Sequence, residues 1–273
     1  MKKFFKAFGF ILLYWLVYSL IQYLTLVIFV VLTPGLDLNS QNIADCFVEN
    51  TGYVFIMSAA LSFSAFSAIY ALRGKNILSE SNLTNGVSLG SLVCGGMFGL
   101  SANFVVSTLI AALMQTGVFD SVFERYDSLM SAIIKDESFI PILIGMGIIV
   151  PIVEEVMFRG IISRELDSLF SPKIVLVFQG ALFGIYHMNV VQGSYAALLG
   201  IFFGFMVYKT NSVWPAIAAH IFMNSSSVFL AQPQVVEFYE KYAVSILLAI
   251  TILFFSSIRH FIKLPPPNEH ASV

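Results

Sequence analysis

Phe139-Ile140-Pro141-Ile142-Leu143-Ile144-Gly145-Met146-Gly147-Ile148-Ile149-Val150-Pro151-Ile152-Val153-Glu154-Glu155-Val156-Met157-Phe158-Arg159-Gly160-Ile161-Ile162-Ser163-Arg164-Glu165 is the stretch on which this sequence turns. It begins as an uncharged apolar run of the kind that spans a bilayer core about 30 Å thick, which takes about 20 helical residues. Two adjacent carboxylates and an arginine then interrupt it. Each ionisable group at the centre of a bilayer costs about 2.5–3.5 kcal/mol on insertion scales. Residues retained at that cost point to function, so Glu154, Glu155 and Arg159 are the first candidates for a site.

Seven further apolar stretches flank this one. With it, the expected spans are 8–32, 51–72, 87–115, 139–165, 172–190, 193–208, 213–231 and 242–262. No period-two alternation persists, so the spans are helices and not barrel strands. The 273 residues are 58% hydrophobic and 11% charged, against about 25% charged in a soluble domain, and the mean hydropathy is +0.86. The fold class is therefore all-α: one integral-membrane domain over 1–273, a polytopic bundle of about eight transmembrane helices. A net charge of −2 gives no basic surface for nucleic acid. Cys46 and Cys94 have no metal-type spacing and imply no disulfide framework. The run from Phe8 to Leu32 is too long for the apolar region of a signal peptide and reads as a retained span.

Loop charges give an orientation. Lys2, Lys3, Lys6, Arg73, Lys75, Arg164, Lys173, Lys209, Arg259 and Lys263 fall on one side. The other side carries Asp37, Asp45, Glu49, Asp120, Glu124, Asp127, Asp136, Glu137, Glu237 and Glu240, diluted by Arg125, Lys135 and Lys241. The positive-inside rule puts both termini in the cytoplasm of a multi-pass cell-membrane protein. The Pro265-Pro266-Pro267 tail is a short polar end. Gly95-x-x-x-Gly99 and Gly200-x-x-x-Gly204 read as close helix contacts, and Gln22, Asn103 and Gln179 as interhelical hydrogen-bonding groups.

Two more polar patterns follow the quoted stretch: Phe183-x-x-x-His187 and His220-x-x-x-Asn224. With a turn near Phe170–Pro172, Glu154 lies 16 residues before it and His187 15 residues after it. At 1.5 Å per residue both are about 23 Å from the turn, so an antiparallel hairpin sets them at one level. His220 meets that level if the turn projects into the cytoplasm, which places the expected site nearer the cytoplasmic face. Its cavity is expected to open there, between the fourth, fifth, sixth and seventh spans. Glu155 and Arg159 are i,i+4 with the acid first, the favoured ion-pair order. Glu154 is rotated about 100° from Glu155 and is left free for chemistry. Pro151 is placed to kink the span and free the Gly147 carbonyl.

Two kinds of water activation fit this set. A desolvated Glu154 beside His187 is a general base, with His220 and Asn224 as donors to an oxyanion. Alternatively Glu154, His187 and His220 form a His2Glu set for a divalent metal such as zinc.

The ordered patterns EExxxR, FxxxH and HxxxN on successive membrane spans, with Trp214-Pro215 shortly before the last, resemble the CPBP intramembrane proteases, which comprise CAAX-prenyl endopeptidases and bacterial Abi, or bacteriocin-processing, proteins. The resemblance covers about residues 139–230, spans four to seven, as the catalytic core. It implies an eight-helix endopeptidase with Glu154 as the activating glutamate and His187 its partner. His220 and Asn224 would stabilise the oxyanion or bind metal, with Glu155, Arg159 and Phe183 in support. The implied partners are the lipid bilayer and a peptide or membrane-protein substrate. The competing classes are a non-catalytic membrane regulator or bacteriocin self-immunity protein acting by contact, and a transporter with a proton relay. The absence of any internal repeat counts against the transporter.

Overall fold

The apolar stretches fold as helices whose ends are set by ordinary capping chemistry. The computed structural model describes residues 1–33, 39–118, 120–134 and 139–265; Asp37, Lys135, Asp136, Glu137, Pro266 and Pro267, cited above, lie outside the described residues. The helices are α1 (Lys2–Leu32), α2 (Ser40–Leu72), α3 (Ile77–Glu80), α4 (Leu89–Met114), α5 (Asp120–Ile133), α6 (Phe139–Asp167), α7 (Pro172–Tyr186), α8 (Val190–Thr210), α9 (Trp214–Leu230) and α10 (Pro233–Lys263). No strand occurs among the described residues. Ser88 Oγ accepts from the Ser91 N–H at the start of α4, and Asn189 Oδ1 from the Gln192 N–H at the start of α8. Prolines open α7, α9 and α10, where their missing N–H costs nothing. Asn211 closes α8 in the left-handed region at φ 51°.

The eight expected spans correspond to α1, α2, α4, α6, α7, α8, α9 and α10. Six of these are long and apolar enough to cross a membrane. The other two are shorter: α7 has 15 residues and α9 has 17. The fifth expected span, 172–190, is cut short because His187 caps α7 and Met188 turns left-handed at φ 52°. The acidic segment read as a loop contains α5, an amphipathic helix. The last helix begins at Pro233, with non-helical geometry at Tyr242 where the expected span starts.

α4 packs on α9 and α10, α7 on α8, and α1 on α2, while α6 touches α2, α7, α8 and α9. Tyr14, Tyr18, Phe66, Tyr70, Val156 and Phe158 centre one buried cluster; Phe98, Phe203, Met206, Ala219 and Phe261 centre a second. The Lys/Arg-bearing loops gather at one end of the bundle. There Arg73 pairs with Glu165 at 2.6 Å, Lys75 with Glu80 at 3.0 Å, and Trp214 Nε1 donates to the Leu83 carbonyl at 2.9 Å. Arg73 also bonds the Tyr14 hydroxyl, and Lys209 the Leu264 carbonyl. The two cysteines are free thiols.

Candidate active site

Helix α6 is not a uniform α-helix. Residues Leu143–Ile149 and Val156–Ile162 are π-helical, on either side of Val150–Glu155. A π turn re-aims side chains and lengthens the hydrogen-bond step to i→i+5. Pro151 has no N–H to return to Met146 or Gly147. Both carbonyls are served from α9 instead: Asn224 Nδ2 donates to Met146 O at 3.1 Å, and Ser225 Oγ to Gly147 O at 3.2 Å. The proline thus couples the glutamate helix to the helix that carries His220.

The two adjacent carboxylates separate into different surroundings. Glu155 is fully buried, and its Oε1 accepts from Arg159 Nη1 at 2.9 Å and from His220 Nδ1 at 2.8 Å. The arginine lies over the Phe183 ring, 4.2 Å from its centroid, a cation–π contact. Glu154, one residue earlier, faces a cavity, and its Oε2 is 3.7 Å from His220 Nε2. His220 therefore stands between the two acids. Because Glu155 Oε1 is an acceptor, the imidazole proton belongs on Nδ1, and Nε2 points at Glu154. The same reasoning applies to His187: its Nδ1 is 2.8 Å from the Phe183 carbonyl, so the proton sits on Nδ1 and Nε2 is a free acceptor.

Glu154, Phe183, His187, His220 and Asn224 all line one cavity of about 1020 Å³. The Phe183 ring stands edge-on to both imidazoles, at 4.8 Å from His187 and 5.7 Å from His220. Gln22 and Asn103 also line it while serving as interhelical groups: Gln22 accepts from Tyr186 Oη at 2.9 Å, and Asn103 donates to Ser226 Oγ at 2.9 Å. Gln179 donates to the Gly200 carbonyl at 2.7 Å.

Two of the expected site residues also make bonds within the bundle, and the direction of the cavity opening needs correction. His220 does not only face the reaction space, because its Nδ1 is committed to Glu155. One Nδ2 hydrogen of Asn224 is spent on Met146, which leaves the other for the cavity. The cavity does not open toward the Lys/Arg-rich end. It runs to α5, with Tyr126, Asp127, Met130 and Ile134 in its wall, and none of Arg73, Lys75, Arg164, Lys173 and Lys209 lines it. The reason is depth: His187 closes the far end of α7, about 21 Å from Lys173. Burial against the cavity wall pushes the Tyr126 phenol above its ordinary value, and its hydroxyl lies 3.3 Å from that of Tyr195. Sequence reading missed the α5 wall and, on α1, Trp15 and Ser19, which line the cavity together with Gln22. The i, i+4, i+7 spacing of the latter three was the available signal.

Among the described residues no group of three or more His, Cys, Asp or Glu side chains is placed to hold a metal ion. In the expected Glu154, His187 and His220 set, Nδ1 of each histidine is committed to the Phe183 carbonyl or to Glu155, which leaves each Nε2 as the atom that would hold a metal beside the Glu154 carboxylate. No step below passes through a metal.

The structure is a helical membrane bundle that brings a glutamate and two histidines to the wall of one cavity. Residues 136–226 match the family described as Type II CAAX prenyl endopeptidase Rce1-like. The chain is also 27% identical over 163 residues to "Putative membrane peptidase YdiL" of Bacillus subtilis (strain 168), covering 57% of this chain and 67% of that protein. No solved structure matches the chain significantly. Over these residues the chain is similar to the CPBP, or CAAX-protease, family, in line with the three motifs.

Proposed function

We propose that this chain is an intramembrane endopeptidase, with its catalytic core at residues 139–230, in which Glu154 activates the hydrolytic water. The observation that carries this reading is the division of labour between neighbouring acids. Glu155 is held by Arg159 and His220, whereas Glu154 faces the cavity and, among the described residues, has no charged partner but His220, whose Nε2 lies 3.7 Å away. Two carboxyl groups in different surroundings are how one site separates a structural acid from a reacting one.

In the proposed step, Glu154 takes a proton from water as the water oxygen bonds to the scissile carbonyl carbon. The C=O pair moves onto oxygen. The second Nδ2 hydrogen of Asn224 meets that oxyanion, and the acceptor Nε2 of His187 orients the attacking water. Collapse reforms the carbonyl, the C–N bond breaks, and Glu154 returns its proton to the departing nitrogen. Glu155 holds the His220 ring in the tautomer that turns Nε2 toward Glu154. The substrate is a peptide segment that reaches the cavity from the α5 end.

Native membranes from cells expressing the wild type or Glu154→Gln, compared for newly formed peptide N-termini, test this reading. Termini present with the wild type should be lost, with turnover down at least about 100-fold in the variant. Identical sets of termini would overturn the reading in favour of a regulator acting by contact.

A further inference from the structure

The cavity that holds Glu154 carries acidic side chains and no basic ones. Two carboxylates line it, Glu154 in its depth and Asp127 in its α5 wall, and no Lys or Arg among the described residues does. Asp127 is exposed, and it makes no ion pair or hydrogen bond to any described residue. An aspartate on an amphipathic helix is ordinarily a solvated group. This one instead shares the cavity wall with Tyr126, Met130 and Ile134, whereas Glu124, about one turn earlier on α5, does not line the cavity. The Tyr126 hydroxyl meets that of Tyr195 on α8 at 3.3 Å, which sets this part of α5 against the bundle.

The lining residues also give the cavity a length. Met146, Val150 and Glu154 line it at every fourth position of α6, and His220, Met223, Ser227 and Ala231 line it along α9. At 1.5 Å per residue these runs are about 12 and 16 Å long. An extended chain advances about 3.3–3.6 Å per residue, so about four residues of a peptide lead from a bond beside Glu154 to the α5 end. Val106, Ile110 and Leu199 lie in the walls and suit apolar side chains. The geometry points to Asp127 as a specificity-determining residue, which selects peptides carrying a Lys or Arg about four residues from the scissile bond with apolar residues between. This rests on the proposed peptidase role of Glu154 and names the class of substrate for it. A pair of opposite charges at the far end of the cavity fixes register, and so decides which bond stands over Glu154. A free C-terminal carboxylate would meet two like charges there and no Lys or Arg among the described residues, so the bond cut lies inside a chain.

Binding of two synthetic fluorescent peptides tests this without reference to turnover. They share one apolar sequence and differ at one position, which is Lys in the first and Glu in the second. The full chain carrying Glu154→Gln, purified in an uncharged detergent, binds without cutting. It should hold the Lys peptide about tenfold more tightly than the Glu peptide. Adding Asp127→Lys should reverse that order. Adding Glu124→Lys instead, the same change of charge on the same helix but outside the cavity wall, should preserve it. Equal binding of the two peptides, or an order that Asp127→Lys leaves unchanged, overturns the proposal. A reversal in Glu124→Lys as well would trace the preference to overall charge and overturn it too. If the order reverses only with Asp127→Lys, yet native membranes show the same termini with the wild type and Glu154→Gln, the peptidase reading has failed and the recognition of a basic peptide stands. If the order ignores Asp127 while Glu154→Gln abolishes the termini, the peptidase reading stands and Asp127 selects nothing.

Discussion

Arg159 illustrates how one side chain can be indispensable without touching a substrate. It is buried, it bonds Glu155, and it lies over Phe183. Removing it leaves a carboxylate buried with only a histidine beside it. Arg159→Ala should destabilise the protein by about 3–5 kcal/mol, read as a lowered thermal midpoint in detergent along with lost turnover. Glu154→Gln, at the cavity wall, should keep the wild-type midpoint. Equal losses of stability in the two variants would contradict the separation of roles. The Glu155–Arg159 pair was readable from i,i+4 spacing, and the turning of Glu154 away from it from helical rotation. The hydrogen bonds of His220 and Asn224 were not, because both partners, Glu155 and the Met146 carbonyl, belong to α6 and come within reach only through tertiary packing. Pro151 announced a free carbonyl, and two are capped from α9.

The seam between α4 and α9 fixes the height of His220. A Cβ on Gly99 would run into the Ala219 carbonyl, and one on Gly95 into the Pro215 carbonyl. Both obstacles are backbone, so α9 would have to move. Gly99→Ala should cost about 1–3 kcal/mol through overpacking and should lower turnover more than Gly9→Ala, where nothing lies nearby. Equal turnover in the two variants would show that His220 tolerates a shift of α9. The Gly95-x-x-x-Gly99 pattern disclosed this seam in advance, and the apolar stretches disclosed eight helices. What escaped was subtler. α5 was hidden because a charged amphipathic stretch looks like a loop when only span-length apolarity is sought. The end of α7 was hidden because Met188 and Val190 continue the apolar run beyond the turn at His187. The π turns of α6 were hidden because they conserve composition and change only the hydrogen-bond step.

The loops bearing Lys and Arg gather at one end, and the cavity runs to the other. With the positive-inside rule, these charges predict that the cavity faces the extracytoplasmic side. Single cysteines at Asp127 and at Lys209, in a Cys46→Ser, Cys94→Ser background, report the orientation in intact cells treated with an impermeant thiol reagent. Labelling at Asp127 with protection at Lys209 is expected, and it implies an exported or outer-leaflet substrate. The reverse pattern would turn the cavity, and the substrate, to the cytoplasm. The brevity of α7 has a further consequence for the surrounding lipid. Fifteen residues rise about 22 Å, against a hydrocarbon thickness of about 30 Å, yet Ile174, Val177, Phe178 and Ile185 are exposed along its outer flank. Thinning of the bilayer beside this helix would accommodate it, at a cost of fractions of a kcal/mol per Å of mismatch. Such thinning would bring headgroups and their hydration down to His187. Reconstituted in phosphatidylcholines of increasing acyl length, the protein should therefore slow as the chains lengthen, with the bilayer itself metering the water that reaches Glu154. Rates indifferent to chain length would show that water arrives by the α5 cavity alone.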